Sequence, residues 1–119
     1  MKEVQPFVSI CIITYNHEKY IAQAVEGALM QDIKFPFEIV IGEDCSNDKT
    51  REIVFRYAET YPNIVRVITS EKNVGVTNNF IRTLNACKGK YIALCEGDDY
   101  WIDPYKLQKQ VDFLEANPD

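Results

Sequence analysis

Val8-Ser9-Ile10-Cys11-Ile12-Ile13 runs into the polar stretch Thr14-Tyr15-Asn16-His17-Glu18. The run is short, β-branched and nearly free of polar interruption, the form a strand takes when both its faces are buried in a parallel sheet. Three further runs resemble it: Phe37-Glu38-Ile39-Val40-Ile41, Ile64-Val65-Arg66-Val67-Ile68 and Tyr91-Ile92-Ala93-Leu94-Cys95. The last of these is also nearly continuous, so it too reads as buried on both faces. Helical spacing fills the intervals. Ile21, Val25, Ala28 and Leu29 recur at helical steps, as do Val54, Tyr57, Ala58 and Tyr61, then Phe80, Leu84 and Cys87, then Leu107, Val111 and Leu114. Gly89 is placed to stop the third helix, Asp103 to cap the fourth, and Pro104 to occupy its first position. Strands alternating with helices of this length predict an α/β fold with an open, mainly parallel sheet.

Composition agrees with one domain. The chain has 119 residues, 46% hydrophobic and 26% charged, enough to bury a core without staples. A net charge of −5 argues against phosphate-driven nucleic-acid binding. It leaves room for a phosphate ligand if a metal ion supplies positive charge. No run reaches the roughly 20 apolar residues of a membrane span, and the first residues lack a signal-peptide cleavage pattern. Cys11, Cys45, Cys87 and Cys95 show no C-x-x-C spacing and read as reduced, mostly buried thiols of a cytoplasmic protein.

Open parallel sheets bind ligands beyond the carboxyl ends of their strands, so the four strand exits carry the chemistry. Glu96-x-Asp98-Asp99 puts three carboxylates in four residues, which repel one another unless a cation sits among them. Oxygen ligands select Mg²⁺ or Mn²⁺. Glu43-Asp44 can accept a hydrogen bond from a base N–H, while Asp48 reads as the cap of the helix that follows. Thr14, Tyr15 and Asn16 can hold the same ligand by hydrogen bonds and stacking. His17 reads as a solvated loop residue rather than a catalytic base. The sequence holds no G-x-G-x-x-G after the first strand, no G-x-x-x-x-G-K-[ST] and no G-x-S-x-G.

Four blocks then align in order and spacing with a known family. They are Val8 to Asn16, Glu38 to Thr50, Asn73-Val74-Gly75, and Gly89 to Asp99. Together they resemble the family 2 inverting glycosyltransferases of Rossmann-like GT-A fold, and the match spans almost the whole chain. The resemblance implies a nucleotide-diphosphate-sugar donor, commonly a UDP-sugar, a Mg²⁺ or Mn²⁺ ion, and a glycan or lipid-linked acceptor. It places Thr14, Tyr15 and Asn16 at the nucleoside, Asp44 with Glu43 at the base, and Asn73, Gly75 and Asn79 on a loop near the donor. Glu96, Asp98 and Asp99 match the D-x-D motif, with Asp98 near ribose or metal and the metal shared with Asp99. Asp103 to Gln110 resembles members that build bacterial surface polysaccharide. Three positions depart from the family: Glu43 and Glu96 stand where Asp is common, and Cys45 where Gly is common.

The family's acceptor half and catalytic base are expected beyond Asp119, so residues 1–119 are expected to be the donor-binding part of a longer enzyme. Such an enzyme is expected in the cytoplasm, free or peripheral at the inner face of the membrane, with any membrane contact made through other regions. Two other readings stand beside this one: a non-catalytic nucleotide-sugar-binding module, and a Mg²⁺-binding phosphoacceptor signalling domain. The phosphoacceptor reading suffers because such domains carry paired acids after their first strand, where this chain has Thr14-Tyr15-Asn16.

Overall fold

A computed structural model describes residues 5–97 and 104–117. The element order is β1 (Val8–Thr14), α1 (Ile21–Leu29), β2 (Phe37–Glu43), α2 (Thr50–Thr60), β3 (Val65–Ile68), α3 (Val76–Ala86), β4 (Tyr91–Glu96) and α4 (Lys106–Ala116). The four strands form one sheet in the order β3-β2-β1-β4. All three pairings are parallel, with Ile12 opposite Ile41 and Cys95. Every strand exit therefore opens on the same edge of the sheet. No helix among the described residues is long and apolar enough to cross a membrane.

Side chains alternate across a strand, and here the two faces differ in kind. Val8, Ile10 and Ile12 point to the same side as Ile39, Ile41, Val65 and Cys95. They form the main core with Ile21, Val25 and Ala28 of α1, Val54 of α2, and Leu107 and Val111 of α4. On the opposite face α3 packs against β1, β2 and β3. The inward residues of α3 are polar: Asn79 and Thr83 are both fully buried. The apolar residues of its expected stripe, Phe80 and Leu84, are only half-buried. The reason is close approach. A methyl group at Gly42 would lie 2.0 Å from Thr83 Oγ1, so α3 sits almost on the backbone of β2, where short side chains that satisfy their own polar groups fit.

β4 departs from its reading as doubly buried. It is an edge strand, and α3 does not reach over it. Ile92 and Leu94 are 43% and 55% exposed, while Cys95 on the other face is buried.

The helix-end signals also shift. α3 ends at Ala86 with Cys87 in extended conformation, so Gly89 is not its stop. Gly89 instead gives room to β1: a Cβ there would lie 2.6 Å from the Ser9 backbone nitrogen. Pro104 lies in the turn before α4 rather than in its first turn. Its carbonyl accepts a 2.6 Å hydrogen bond from the Asp32 N–H. Asp103 lies outside the described residues.

Below the sheet's opposite end, Glu38 anchors a polar knot. Its carboxylate accepts from Ser9 Oγ (2.6 Å), the Lys88 N–H (2.7 Å) and Arg66 Nη2 (2.7 Å). Arg66 Nη2 also donates to the Ala86 carbonyl, and the Gly89 N–H donates to Ser9 Oγ. The knot ties β1, β2, β3 and the α3–β4 connection together.

All four cysteines are free thiols, Cys11 and Cys95 buried and Cys45 and Cys87 half-buried. The neighbouring Cys87 thiol, with burial, pushes the Cys11 thiol far above its ordinary range.

Candidate functional site

The chain runs outward from β1 through β2 to β3, then returns to the other side of β1 to lay down β4. This reversal leaves a crevice between the exits of β1 and β4, the place where open α/β sheets hold ligands. A cavity of about 960 Å³ lies there. Thr14, Tyr15 and His17 line it from the β1 exit, Asp44 from the β2 exit, Asn73 and Gly75 from the segment before α3, Asn79 from α3, and Glu96 from the end of β4. The rest of the wall is largely apolar: Cys11, Ile13, Val76, Phe80 and Leu94. Cys11, Ile13 and Leu94 come from the sheet face that α3 leaves open beside β4, and Val76 and Phe80 from α3 itself.

The two loops at the β1 and β2 exits are stitched together. Asn16 takes a left-handed backbone (φ 55°), which Asn tolerates better than most residues. Its N–H donates to Ser46 Oγ at 2.9 Å, and its Oδ1 accepts from the Asn47 N–H at 2.8 Å. Asp48 accepts from the Thr50 N–H (2.9 Å) at the start of α2 and from the Glu18 N–H (3.2 Å). Partial burial pushes the Asp48 carboxyl upward, but the Thr50 and Glu18 hydrogen bonds outweigh it and hold the group below its ordinary range. The N-cap of α2 is Lys49, so Asp48 stands one residue ahead of the expected cap position; from there it meets the Thr50 N–H and ties down the first loop at once.

Glu43 is fully buried. Its carboxylate closes the turn that follows it, accepting from the Cys45 N–H (3.1 Å), the Ser46 N–H (2.8 Å) and Thr69 Oγ1 (3.2 Å). Asp44 is 3% exposed and holds the segment across the cavity. Its Oδ1 accepts from the Val74 N–H (2.7 Å), and its Oδ2 from the Gly75 N–H (3.0 Å) and Asn73 Nδ2 (3.0 Å). Charged acceptors facing several N–H donors make strong hydrogen bonds, so the loop at 73–75 is a built wall.

Of the predicted residues, the structure gathers Thr14, Tyr15, Asp44, Asn73, Gly75, Asn79 and Glu96 around the cavity. Asn16 and Glu43 are not on its wall; Asn16 Oδ1 and both Glu43 carboxylate oxygens serve the turns just described. Asn79 belongs to α3 rather than to a loop. Its Nδ2 donates to the Gly42 carbonyl at 2.9 Å. Asp98 and Asp99 lie outside the described residues. Among the described residues no group of three metal-ligating side chains occurs. Glu96 nevertheless stands exposed on the cavity wall, and a carboxylate open to solvent there suits a hard divalent cation.

Two residues were not legible as part of the site. His17 is half-buried rather than solvated. Its Nδ1 lies 2.9 Å from Thr14 Oγ1, and its N–H donates to Thr50 Oγ1 at 2.8 Å. Gly97 packs onto this pair, since a Cβ there would lie 2.4 Å from Thr14 Oγ1 and 2.7 Å from His17 Nδ1. Arg82 is the second. It reaches from α3 to hydrogen-bond Asn79, Ser70 and the Glu43 carbonyl. A lone Arg on a helix carries no motif; its spacing of three from Asn79 was the available sign.

Cys45 stands where the family resemblance leads one to expect glycine, and its φ is +56°. A residue without a Cβ adopts that conformation freely, whereas a β-branched one resists it. Cys45→Val is therefore expected to cost about 1–2 kcal/mol, and Cys45→Gly close to nothing, because strain relief offsets the added chain entropy. Thermal unfolding of both variants checks this; equal midpoints would mean that the turn does not hold the left-handed backbone.

Comparison with known proteins adds independent findings. The family model described as glycosyl transferase family 2 matches residues 9–119. The chain is 47% identical over 112 residues to the uncharacterised protein Rv1520 of Mycobacterium tuberculosis, covering 94% of this chain and 32% of that one. It is 33% identical over 114 residues to the putative teichuronic acid biosynthesis glycosyltransferase TuaG of Bacillus subtilis, covering 96% of this chain and 44% of that one. Among solved structures, S. aureus TarS 1–349 in complex with UDP matches with a TM-score of 0.78 at 31% identity, over 92% of this chain and 32% of that one. The mannosyltransferase PcManGT of Pyrobaculum calidifontis, in complex with GDP-Man and Mn²⁺, matches with a TM-score of 0.81 at 24% identity, over 92% and 32%; that likeness is one of fold. The chain spans about a third of the length of the mycobacterial relative.

Proposed function

Because the chain belongs to glycosyl transferase family 2, we propose that its cavity binds the nucleoside diphosphate of a sugar donor, a UDP-sugar by preference. In this reading the longer protein transfers the sugar, with inversion, to a glycan or lipid-linked acceptor. The observation that carries the reading is the placement of Tyr15, Asp44 and Glu96 around one crevice, at the point where the strand order reverses. The UDP complex of TarS supports the choice of nucleotide, and the name of TuaG supports an acceptor that belongs to a surface polysaccharide.

Each residue has a distinct part. Tyr15 offers a ring to the base, and Thr14 lies beside it. Asp44 faces the base N–H with acceptor capacity that its loop contacts leave over. Glu43 and Asn16 hold the turns that aim Asp44 and Tyr15. Glu96, with Asp98 and Asp99, would hold a divalent cation, which supplies positive charge to the departing diphosphate. Without a cation the negative wall and the negative ligand repel each other. Inversion needs a base to take the proton of the acceptor hydroxyl as it attacks the anomeric carbon. That base is assigned to the part of the enzyme beyond these 119 residues.

Calorimetry with UDP tests the proposal. UDP is expected to bind at least tenfold more tightly with Mn²⁺ than with chelator. Asp44→Asn, which gives up one charged acceptor, is expected to weaken UDP by about tenfold, ~1.4 kcal/mol. Equal binding with and without metal would remove the cation from the account, and undiminished binding by Asp44→Asn would remove Asp44.

A further inference from the structure

Arg82 does not line the cavity but hydrogen-bonds Asn79 and lies beside Asp44, two residues of its wall, and nothing in the proposed donor contacts uses it. It lies on α3 with its side chain 22% exposed. Three different nitrogens of its guanidinium reach three different partners. Nε donates to Asn79 Oδ1 at 3.0 Å, Nη1 to Ser70 Oγ at 2.8 Å, and Nη2 to the Glu43 carbonyl at 3.0 Å. Nη2 also lies 4.0 Å from Asp44 Oδ1. The partners come from α3, from the exit of β3 and from the exit of β2, so one planar group joins three elements at one spot.

The consequence for Asp44 is direct. The Glu43 carbonyl is the backbone group that precedes the Asp44 N–H, and that N–H donates to the Thr14 carbonyl at 3.1 Å. Arg82 thus holds one side of the peptide unit from which Asp44 projects, and β1 holds the other. Ser70 is the second restraint: its Oγ accepts from Arg82 and donates to the Lys72 carbonyl at 2.8 Å, at the root of the 73–75 segment that Asp44 grips.

We propose that Arg82 is the positioning residue of the donor pocket, fixing the β2 exit and the segment at 70–75 so that Asp44 is preset to read the base. This rests on the donor reading above. A lysine cannot replace it, because an ammonium is a point charge and cannot serve three partners along the fixed directions of a guanidinium.

The test uses the full-length protein with Arg82→Lys, Arg82→Gln and the milder Ser70→Ala, which removes only one of the three partners. Two readouts are taken: backbone amide exchange without nucleotide, and calorimetric affinity for UDP and for GDP in the presence of Mn²⁺. Exchange at Val74 and Gly75 is expected to accelerate at least tenfold in both Arg82 variants, and less in Ser70→Ala, while amides of β1 and β2 stay protected. UDP affinity is expected to fall about tenfold, and the preference for UDP over GDP to shrink, with lysine giving no rescue. Unchanged exchange at Val74 and Gly75 overturns the proposal. So does acceleration of β1 and β2 as great as that at 74–75, which would make Arg82 a general structural residue. If the unaltered protein binds neither nucleotide while exchange responds as expected, the donor reading falls and the ordering of the segment by Arg82 stands.

Discussion

Replacing Glu38 by alanine is expected to remove about 3 kcal/mol of folding stability, seen as a lower urea midpoint with an unchanged slope. The side chain is 8% exposed and is paired with Arg66, whose side chain is 36% exposed. Breaking a buried pair costs about 3–5 kcal/mol; the partial hydration of Arg66 sets the value at the low end. The loss comes from what is left behind. The Lys88 N–H and Ser9 hydroxyl lose their acceptor in a place that water does not readily reach. Glu38→Gln, which keeps an acceptor oxygen, is expected to lose about half as much.

The same residue sets an acid limit. Desolvation pushes its carboxyl upward, but the hydrogen bonds from Ser9, Lys88 and Arg66 outweigh it and hold the group below its ordinary value of 4.5. A carboxyl with a depressed folded pKa contributes stability that is fully present above the unfolded value. That stability is lost as the pH falls through the folded value. The stability difference between the unaltered chain and Glu38→Ala is therefore expected to be largest at pH 7 and to shrink below about pH 4.5. A difference that stays constant over that range would show that packing, not charge, holds the knot.

Gly42→Ala is the second large effect, at about 2–3 kcal/mol. The new methyl would lie 2.0 Å from Thr83 Oγ1 and 2.9 Å from Asn79 Oδ1. Neither neighbour is free to yield. Thr83 Oγ1 donates to the Asn79 carbonyl at 2.6 Å, and Asn79 Oδ1 accepts from Arg82. α3 must then move off β2, carrying the Asn79 wall of the cavity with it. The double variant Gly42→Ala/Thr83→Ala removes the shorter clash and is expected to recover about 1 kcal/mol relative to the sum of the single changes. Strict additivity would mean that the helix relaxes without using that contact.

These two sites show what the sequence makes legible. Hydrophobic periodicity located all four strands and all four helices, because burial of apolar side chains leaves a repeat of two or of 3.6. It missed Asn79 and Thr83, since a buried polar residue that satisfies itself looks like surface in a list of residue types. It read β4 as doubly buried because an apolar run does not say how many faces are covered. Gly89 looked like a helix stop, yet the residue answers to a strand 80 positions away in sequence. The exits of β1 and β2 were found from topology alone. Which carboxylate faces the cavity and which closes a turn depends on three-dimensional neighbours: Glu43 and Asp44 are adjacent and identical in charge, and what separates their tasks is that Glu43 accepts from Cys45, Ser46 and Thr69 while Asp44 accepts from the segment 73–75.

β1 precedes β2, β3 and β4 in the chain yet pairs on both its flanks, and this orders how the four strands come together. β1 gains β2 early, but its other flank waits until β4 has been synthesised. Closing so long a loop is entropically slow. Thr14 and His17 meet Gly97 only in that last pairing. A chain in which β4 has not yet paired with β1 therefore lacks the wall formed by Leu94, Cys95 and Glu96, and the capacity to hold a ligand comes with that one pairing.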